Sequence, residues 1–390
     1  MKTKIPFNKP YITGKEAQYT YDVICKGKLS GNGNYTKLCQ EFFETKYGFK
    51  KTLLTTSCTD ALEMCAILIN IQPGDEVIVP SFTFVSTALA FVRQGAKIIF
   101  ADSCSNNPNL DISKVAPLIT NKTKAIVPVH YAGVAVDMDS LMQLANKHGI
   151  YVVEDAAQSI DSFYKGKALG TIGHLSAFSF HETKNIISGE GGLLGINDEQ
   201  FIERAEVIWE KGTNRVSFFR GEVNKYGWED IGSSFLPSES TAAFLFAQLE
   251  NLDYIQNRRK YIWDKYYKAF QSLNGFKLPD IPNYATNNAH MFYLVFKSLQ
   301  ERTAFINHSK SNKVLSVFHY LSLHKSPYYI NNNKERPTLD NCDFFADCLV
   351  RLPLYCDMSE NDIDRVIKMV IDFLKPVSYT HLTLPTILLV

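Results

Sequence analysis

The sequence predicts an α/β protein with a large domain on a mainly parallel sheet and a smaller α+β domain behind it. Three observations carry that reading. From about Lys50 to Ile196 short apolar runs alternate with helix-length segments. The runs are apolar on both faces, as strands are when helices cover both sides of a parallel sheet. From Leu252 to Leu273 a long polar helix then opens a second region of different pattern.

In chain order, the strands are predicted at Lys51–Thr55, Glu76–Val79, Lys97–Ala101, Lys124–Val129, Tyr151–Glu154, Ser176–Phe180 and Gly192–Ile196. Between them, Ala61–Ile71, Phe84–Gln94 and Asp139–His148 carry helical spacing of apolar residues. In the second region, 291–296 and 314–320 read as antiparallel strands, and Glu360–Leu374 as an amphipathic helix. The division expected is a large domain over 1–250, including an N-terminal arm, and a small domain over 251–376. No self-similar period marks a repeat architecture. Residues 377–390 have no charge, no helical period and a proline at 385. That stretch reads as appended, non-native sequence, the alternative being a strand that packs on a partner subunit, and it is left out of fold reasoning.

With 390 residues, the chain is long enough for two such domains. A net charge of +1 removes any bulk electrostatic reason to bind nucleic acid or an anionic membrane. The eight cysteines form no CxxC pair and no His–Cys cluster at zinc spacing, so buried reduced thiols are expected rather than a metal site. The first residues lack the apolar core of a signal peptide, and no run has the length of a membrane span. A cytoplasmic protein is the expectation.

In open parallel sheets ligands gather at the carboxyl ends of the strands. The chemistry-bearing residues fall there. Lys184, in Phe178-Ser-Phe-His-Glu-Thr-Lys184, follows one strand and precedes the glycine run Gly189-Glu-Gly-Gly192; Asp155 ends the strand before. An amine for a cofactor aldehyde and a carboxylate for a ring nitrogen are what pyridoxal 5'-phosphate requires. Ser57-Cys-Thr-Asp60 opens a helix whose N-terminus could bind a phosphate, with Ser179 adding a hydroxyl; capping by Thr59 or Asp60 is the plainer alternative. Phe84 could stack on the ring or be core, and Gln158 could bond the ring oxygen or face solvent. Glu154 and Asp155 form a carboxylate pair straight after a buried strand. His130 and His181 could move protons, anchor a phosphate or sit at a site edge. The basic and aromatic stretch holding Arg215, Arg220, Lys225 and Trp228 could take a diphosphate and stack a base, or be a solvated loop. His319 to His324 is a further candidate for substrate choice.

The motifs Pro128-Val-His-Tyr-Ala-Gly133, Val153-Glu-Asp-Ala-Ala-Gln158 and Phe178-Ser-Phe-His-Glu-Thr-Lys184 resemble those of the DegT-type sugar-nucleotide aminotransferases, which are fold type I (aspartate aminotransferase-like) enzymes. The likeness runs from Ile5 to Pro353. It implies pyridoxal phosphate held by a Schiff base to Lys184, with Asp155 on the ring nitrogen, Gln158 on the ring oxygen, Phe84 stacked, and Thr59, Asp60 (through its backbone) and Ser179 on the phosphate. Relatives bring an asparagine from a neighbouring subunit to the phosphate; here Ser234 would replace it. The reaction implied moves the amino group of L-glutamate to C4 of a dTDP-4-keto-6-deoxyhexose. The products would be dTDP-4-amino-4,6-dideoxygalactose and 2-oxoglutarate, made for cell-surface polysaccharide by a homodimer with shared sites. Amination at C3 and a non-catalytic sugar-nucleotide binder are the alternatives.

Overall fold

A computed structural model describes residues 3–334 and 336–375; the suspect segment 377–390 lies outside the described residues. The main sheet has seven strands: β1 (Lys51–Thr55), β2 (Glu76–Pro80), β3 (Lys97–Ala101), β4 (Thr123–Ile126), β5 (Tyr151–Asp155), β6 (Leu175–Ser179) and β7 (Gly192–Ile196). Their spatial order is β1-β7-β6-β5-β4-β2-β3. Only β7 runs antiparallel to its neighbours, pairing Leu194 with Leu53 on one side and with Ala177 on the other. The remaining pairs are parallel, as the two-faced apolar pattern predicts. Every residue of β2 and β7 is buried.

Helices cover both faces. The Met138–His148 helix shows why sequence spacing is legible here: its buried residues are Met138, Leu141 and Ala145, three and four apart on one stripe. Asp137 caps its start through Ser140 N–H, and Gly149, at φ 65°, ends it. The Cys58–Leu68 helix is buried from Ala61 onwards beneath β6 and β7.

The second region differs from expectation in one strand. β8 (Phe292–Val295) pairs antiparallel with β9 (Leu349–Leu352), not with 314–320. That segment meets its neighbours only through single bridges, Val314 to Ile5 and Val317 to Arg351. After Val317 it turns inward and delivers Phe318, His319 and Tyr320 to the site described below. Side chains of β8 alternate between two cores: Tyr293 and Val295 join the main one, while Phe292 and Leu294 join a second one under the Leu252–Phe270 and Glu360–Leu374 helices. All eight cysteines are free thiols. Among the described residues, no helix is long and apolar enough to cross a membrane.

Candidate active site

A cavity of about 840 Å³ opens at the carboxyl ends of β1, β2, β5 and β6, where the second region leans over the sheet. Lys184 lines it from the loop between β6 and β7. Backbone bonds fold that loop back on itself: Phe180 N–H to Gly191 C=O, Glu182 N–H to Gly189 C=O, and Lys184 N–H to His181 C=O. Gly189 supplies the turn at φ 83°. Burial draws the Lys184 ammonium below its ordinary pKa, opposed by Cys58 and Asp155 and reinforced by Arg351.

Asp155 is the last residue of β5 and is buried. Its Oδ2 accepts the Thr87 hydroxyl at 2.7 Å, and its Oδ1 accepts Ala157 N–H at 3.2 Å. Burial raises its pKa, while these donors and the positive field of Lys184 pull the other way. It faces the cavity that Lys184 lines, with a lone pair left for a cationic partner.

Glu154, one residue earlier, points to the opposite face. It accepts His130 Nε2–H at 2.9 Å and the amides of Gly170, Ile172 and Gly173 at 2.7, 2.8 and 2.5 Å. His130 takes Val136 N–H on Nδ1, so its proton sits on Nε2. The expectation of His130 in substrate binding is therefore corrected: it is fully buried, does not line the cavity, and spends both ring nitrogens on the scaffold. Burial would raise the Glu154 pKa, but these bonds outweigh it and hold the carboxyl below its ordinary 4.5. In Glu154→Gln the new amide would meet donors already aimed at it, from His130 and Gly170. The expected loss is about 3–5 kcal/mol of folding stability, measured as a lower urea midpoint. A depressed folded pKa means that this stability is present above pH 4.5 and drains away as pH falls through the lower folded value. The variant should lack that acid-dependent loss.

At the start of the Cys58–Leu68 helix the cap is Ser57, not Thr59 or Asp60: its hydroxyl accepts Asp60 N–H at 3.1 Å. Asp60's own amide is thus spoken for, and the amides left for an anion are those of Cys58 and Thr59. Thr59 Oγ1 bonds Ser86 Oγ at 2.8 Å, and Ser57, Thr59, Ser86 and Ser179 all line the cavity. Gly192 explains how the chain comes so close here, for a Cβ on it would lie 2.3 Å from Ser57 C and 2.5 Å from Cys58 N.

Gln158 also lines the cavity, with Oε1 on Ala132 N–H at 2.6 Å and Nε2 on Tyr320 OH at 2.9 Å. Phe84 is 59% exposed on the cavity wall, tilted toward Tyr320. His181 sits at the rim with Thr183 on Nδ1, and His319 donates to or accepts from Tyr131 OH at 2.7 Å.

The remaining candidates do not reach this cavity within one chain. Arg215 and Ser234 line a separate basic cavity of about 520 Å³ with Lys28, Lys37 and Lys211. Arg220 is paired with Glu206 at 2.6 Å and Glu222 at 2.7 Å, Lys225 is exposed, and Trp228 is 85% exposed. Residues that sequence reasoning missed as site residues are His290 and Arg351, both from the second region, while Tyr320 falls within the His319 to His324 stretch already singled out. The motif Asn288-Ala-His290 was the available signal for His290.

The arrangement gathers an amine, a buried carboxylate, an anion-binding helix start, an aromatic wall and a carboxamide. The family model described as the DegT/DnrJ/EryC1/StrS aminotransferase family matches residues 10–371. The chain belongs to that family. This DegT-family member is 33% identical over 383 residues to the spore coat polysaccharide biosynthesis protein SpsC of Bacillus subtilis, covering 95% of this chain and 97% of that one. It is 29% identical over 376 residues to GDP-perosamine synthase of Escherichia coli O157:H7, covering 95% and 98%. Among solved structures, the PLP form of a Streptococcus pneumoniae protein described as a sugar aminotransferase superposes with a TM-score of 0.88 at 25% identity, covering 95% of this chain and 100% of that one. The DegT-family protein is a sugar aminotransferase of fold type I, and its cofactor is pyridoxal phosphate. The site fits that group: the helix start with its free amides suits the phosphate, and the buried Asp155 suits a protonated ring nitrogen.

Proposed function

We propose that this sugar aminotransferase transfers the amino group of L-glutamate to C4 of a dTDP-4-keto-6-deoxyhexose, giving dTDP-4-amino-4,6-dideoxygalactose and 2-oxoglutarate, in the cytoplasm and for cell-surface polysaccharide. The observation that carries the transamination is that Lys184 and Asp155 line one cavity and feel each other's charge. Bound pyridoxal phosphate supplies an aldehyde for the incoming amine and a ring that takes up the electron pair when a C–H bond breaks. Lys184 is the group that holds the cofactor and then moves the proton between carbon atoms. Its lowered pKa supports this, because a larger share of the side chain is free amine near neutral pH. Asp155 keeps the ring nitrogen protonated, steadied by Thr87 and the Ala157 amide. Thr59, Ser179 and the amides at the helix start take the phosphate, Gln158 the ring oxygen, and Phe84 the ring face. His181 and His319 bound the sugar side.

Active homodimers are part of the proposal. Supporting it, Phe219, Tyr226, Trp228 and Ile231 are exposed beside the basic cavity of Arg215 and Ser234. In a dimer those residues, with Arg220 and Lys225, would serve the second copy's site, where Ser234 would reach the phosphate. A second reading, a GDP-linked keto sugar as acceptor, is favoured by the likeness to GDP-perosamine synthase.

The test is spectroscopic. The protein loaded with pyridoxal phosphate should absorb in the visible, L-glutamate should bleach that band, and dTDP-4-keto-6-deoxyglucose should restore it. Restoration by the GDP-linked sugar alone would move the proposal to the second reading. A band that no amino donor bleaches would overturn the transamination.

A further inference from the structure

His290 sits just before β8 and lines the same cavity as Lys184. Its ring is held by Asn185, the buried residue that follows Lys184 in the chain. Asn185 Oδ1 lies 2.9 Å from His290 Nδ1, and Asn185 Nδ2 donates to Gln256 Oε1 at 2.8 Å and to the Asn288 carbonyl at 2.9 Å. Further bonds pin the main chain there. Asn288 Nδ2 donates to the carbonyls of Gln158 and Ile160, and its Oδ1 accepts His290 N–H at 3.0 Å. Arg259 donates to the carbonyls of Ala289 and His290. Ala289 is thereby kept in the left-handed region, at φ 51°.

This network leaves no freedom in where the imidazole proton sits. A main-chain carbonyl cannot donate, so the Asn185 amide must turn Nδ2 toward Asn288 and Oδ1 toward His290. An amide oxygen cannot donate either, so the bond between the two side chains takes its proton from His290 Nδ1. Burial, and then the charges of Lys184 and Arg259, keep the ring neutral by pushing its pKa well below the ordinary value. Nε2 therefore carries a lone pair. Among the described residues no donor bonds it, and the ring lines the cavity. What enters the cavity must supply the donor.

We propose that His290 Nε2 accepts a hydrogen bond from the C3 hydroxyl of the keto sugar, with Asn185 as the residue that positions it. The proposal rests on the keto-sugar aminotransferase reading and adds a specificity contact to it. Chemistry decides between the substrates. The carboxylates of L-glutamate and the diphosphate of a sugar nucleotide bring acceptors, which a nitrogen lone pair repels. The hexose brings hydroxyl donors. A 4-keto-6-deoxyhexose joined through C1 keeps hydroxyls at C2 and C3, and C3 is bonded to the carbon that is aminated. Lys184 must reach that carbon, and its charge is felt at His290, so the C3 hydroxyl belongs to the same end of the cavity.

The experiment offers the loaded enzyme, after L-glutamate, the 4-keto sugar nucleotide that restores the visible band and the 3-deoxy analogue of that sugar. Wild type should lose about 10- to 100-fold in kcat/KM with the analogue. In His290→Phe that preference should shrink to less than about threefold, and the variant's loss should be at least about tenfold larger in the sugar half-reaction than in bleaching by L-glutamate. His290→Gln should keep part of the preference, because its amide can donate to Asn185 and turn its oxygen to the cavity. Asn185→Leu should blunt the preference. Indifference of wild type to the C3 hydroxyl overturns the proposal, as does a preference that survives intact in His290→Phe. Nitrogen NMR of histidine-labelled protein supplies a readout free of turnover. The signals missing from His290→Gln should report, in wild type, a protonated Nδ1 and a bare Nε2, and Asn185→Leu should move that proton. A proton on Nε2 in wild type, or a charged ring at neutral pH, overturns the proposal. If no 4-keto sugar restores the band, the choice of substrate fails and the spectrum still judges His290: a bare Nε2 upholds the acceptor, and a protonated one overturns it.

Discussion

Lys184→Ala should lower the release of 2-oxoglutarate by at least about 10³-fold, because it removes the proposed covalent anchor and proton carrier at once. The fold should not suffer. The loop is held by main-chain bonds that the substitution leaves alone. The side chain removed is an amine that burial already disfavours in its charged form. Circular dichroism and Tm close to wild type, together with absent turnover, are the expected pair of results. Substantial turnover in this variant would mean that another amine carries the reaction.

Gly192→Ala is expected to be nearly as damaging, through a different route. Its added methyl would lie 2.4 Å from the Ser57 carbonyl oxygen and 2.5 Å from Cys58 N, contacts with main chain that cannot rotate away. Either β7 shifts or the start of the Cys58–Leu68 helix does. Since the free amides there must meet a phosphate at hydrogen-bond distance, a displacement near 1 Å should weaken pyridoxal phosphate binding by about 10²-fold. A titration of cofactor-free protein followed by absorbance measures this. Gly227→Ala is the comparison, since its methyl would meet nothing within 4 Å. Wild-type affinity in Gly192→Ala would show that the phosphate is held elsewhere.

The main sheet was legible because its strands are short, apolar on both faces and separated by helices with clear stripes; β1, β3 and β7 begin and end where the pattern says. Lys184, Asp155, Gln158, Thr59 and Ser179 were legible for the related reason that strand ends in such sheets converge, and the structure brings them to one cavity. The second region was harder. Val314 to Tyr320 has the composition of a strand, yet it makes only single bridges, at Val314 and Val317, and its aromatic end is drawn into the site. The true partner of β8 hides a charge, Arg351, inside an apolar run. Nothing local in the sequence reveals that this charge faces Lys184. His130 misled for the opposite reason: it follows a strand end, but its ring turns back beneath the sheet to Glu154.

The back-to-back carboxylates of β5 have a consequence for how this chain can change. Glu154 ties down the 170–173 loop and Asp155 serves the cavity, and only the pleat separates the two duties. Sliding β5 by a single position would turn the anchor toward the substrate and the working acid into the scaffold. Insertions or deletions of one residue in the turn at Gly149 and Ile150 should thus be far rarer among functional descendants than compensated changes of two. The reading frame of the pleats, as much as the identity of the residues, sets what this strand can do.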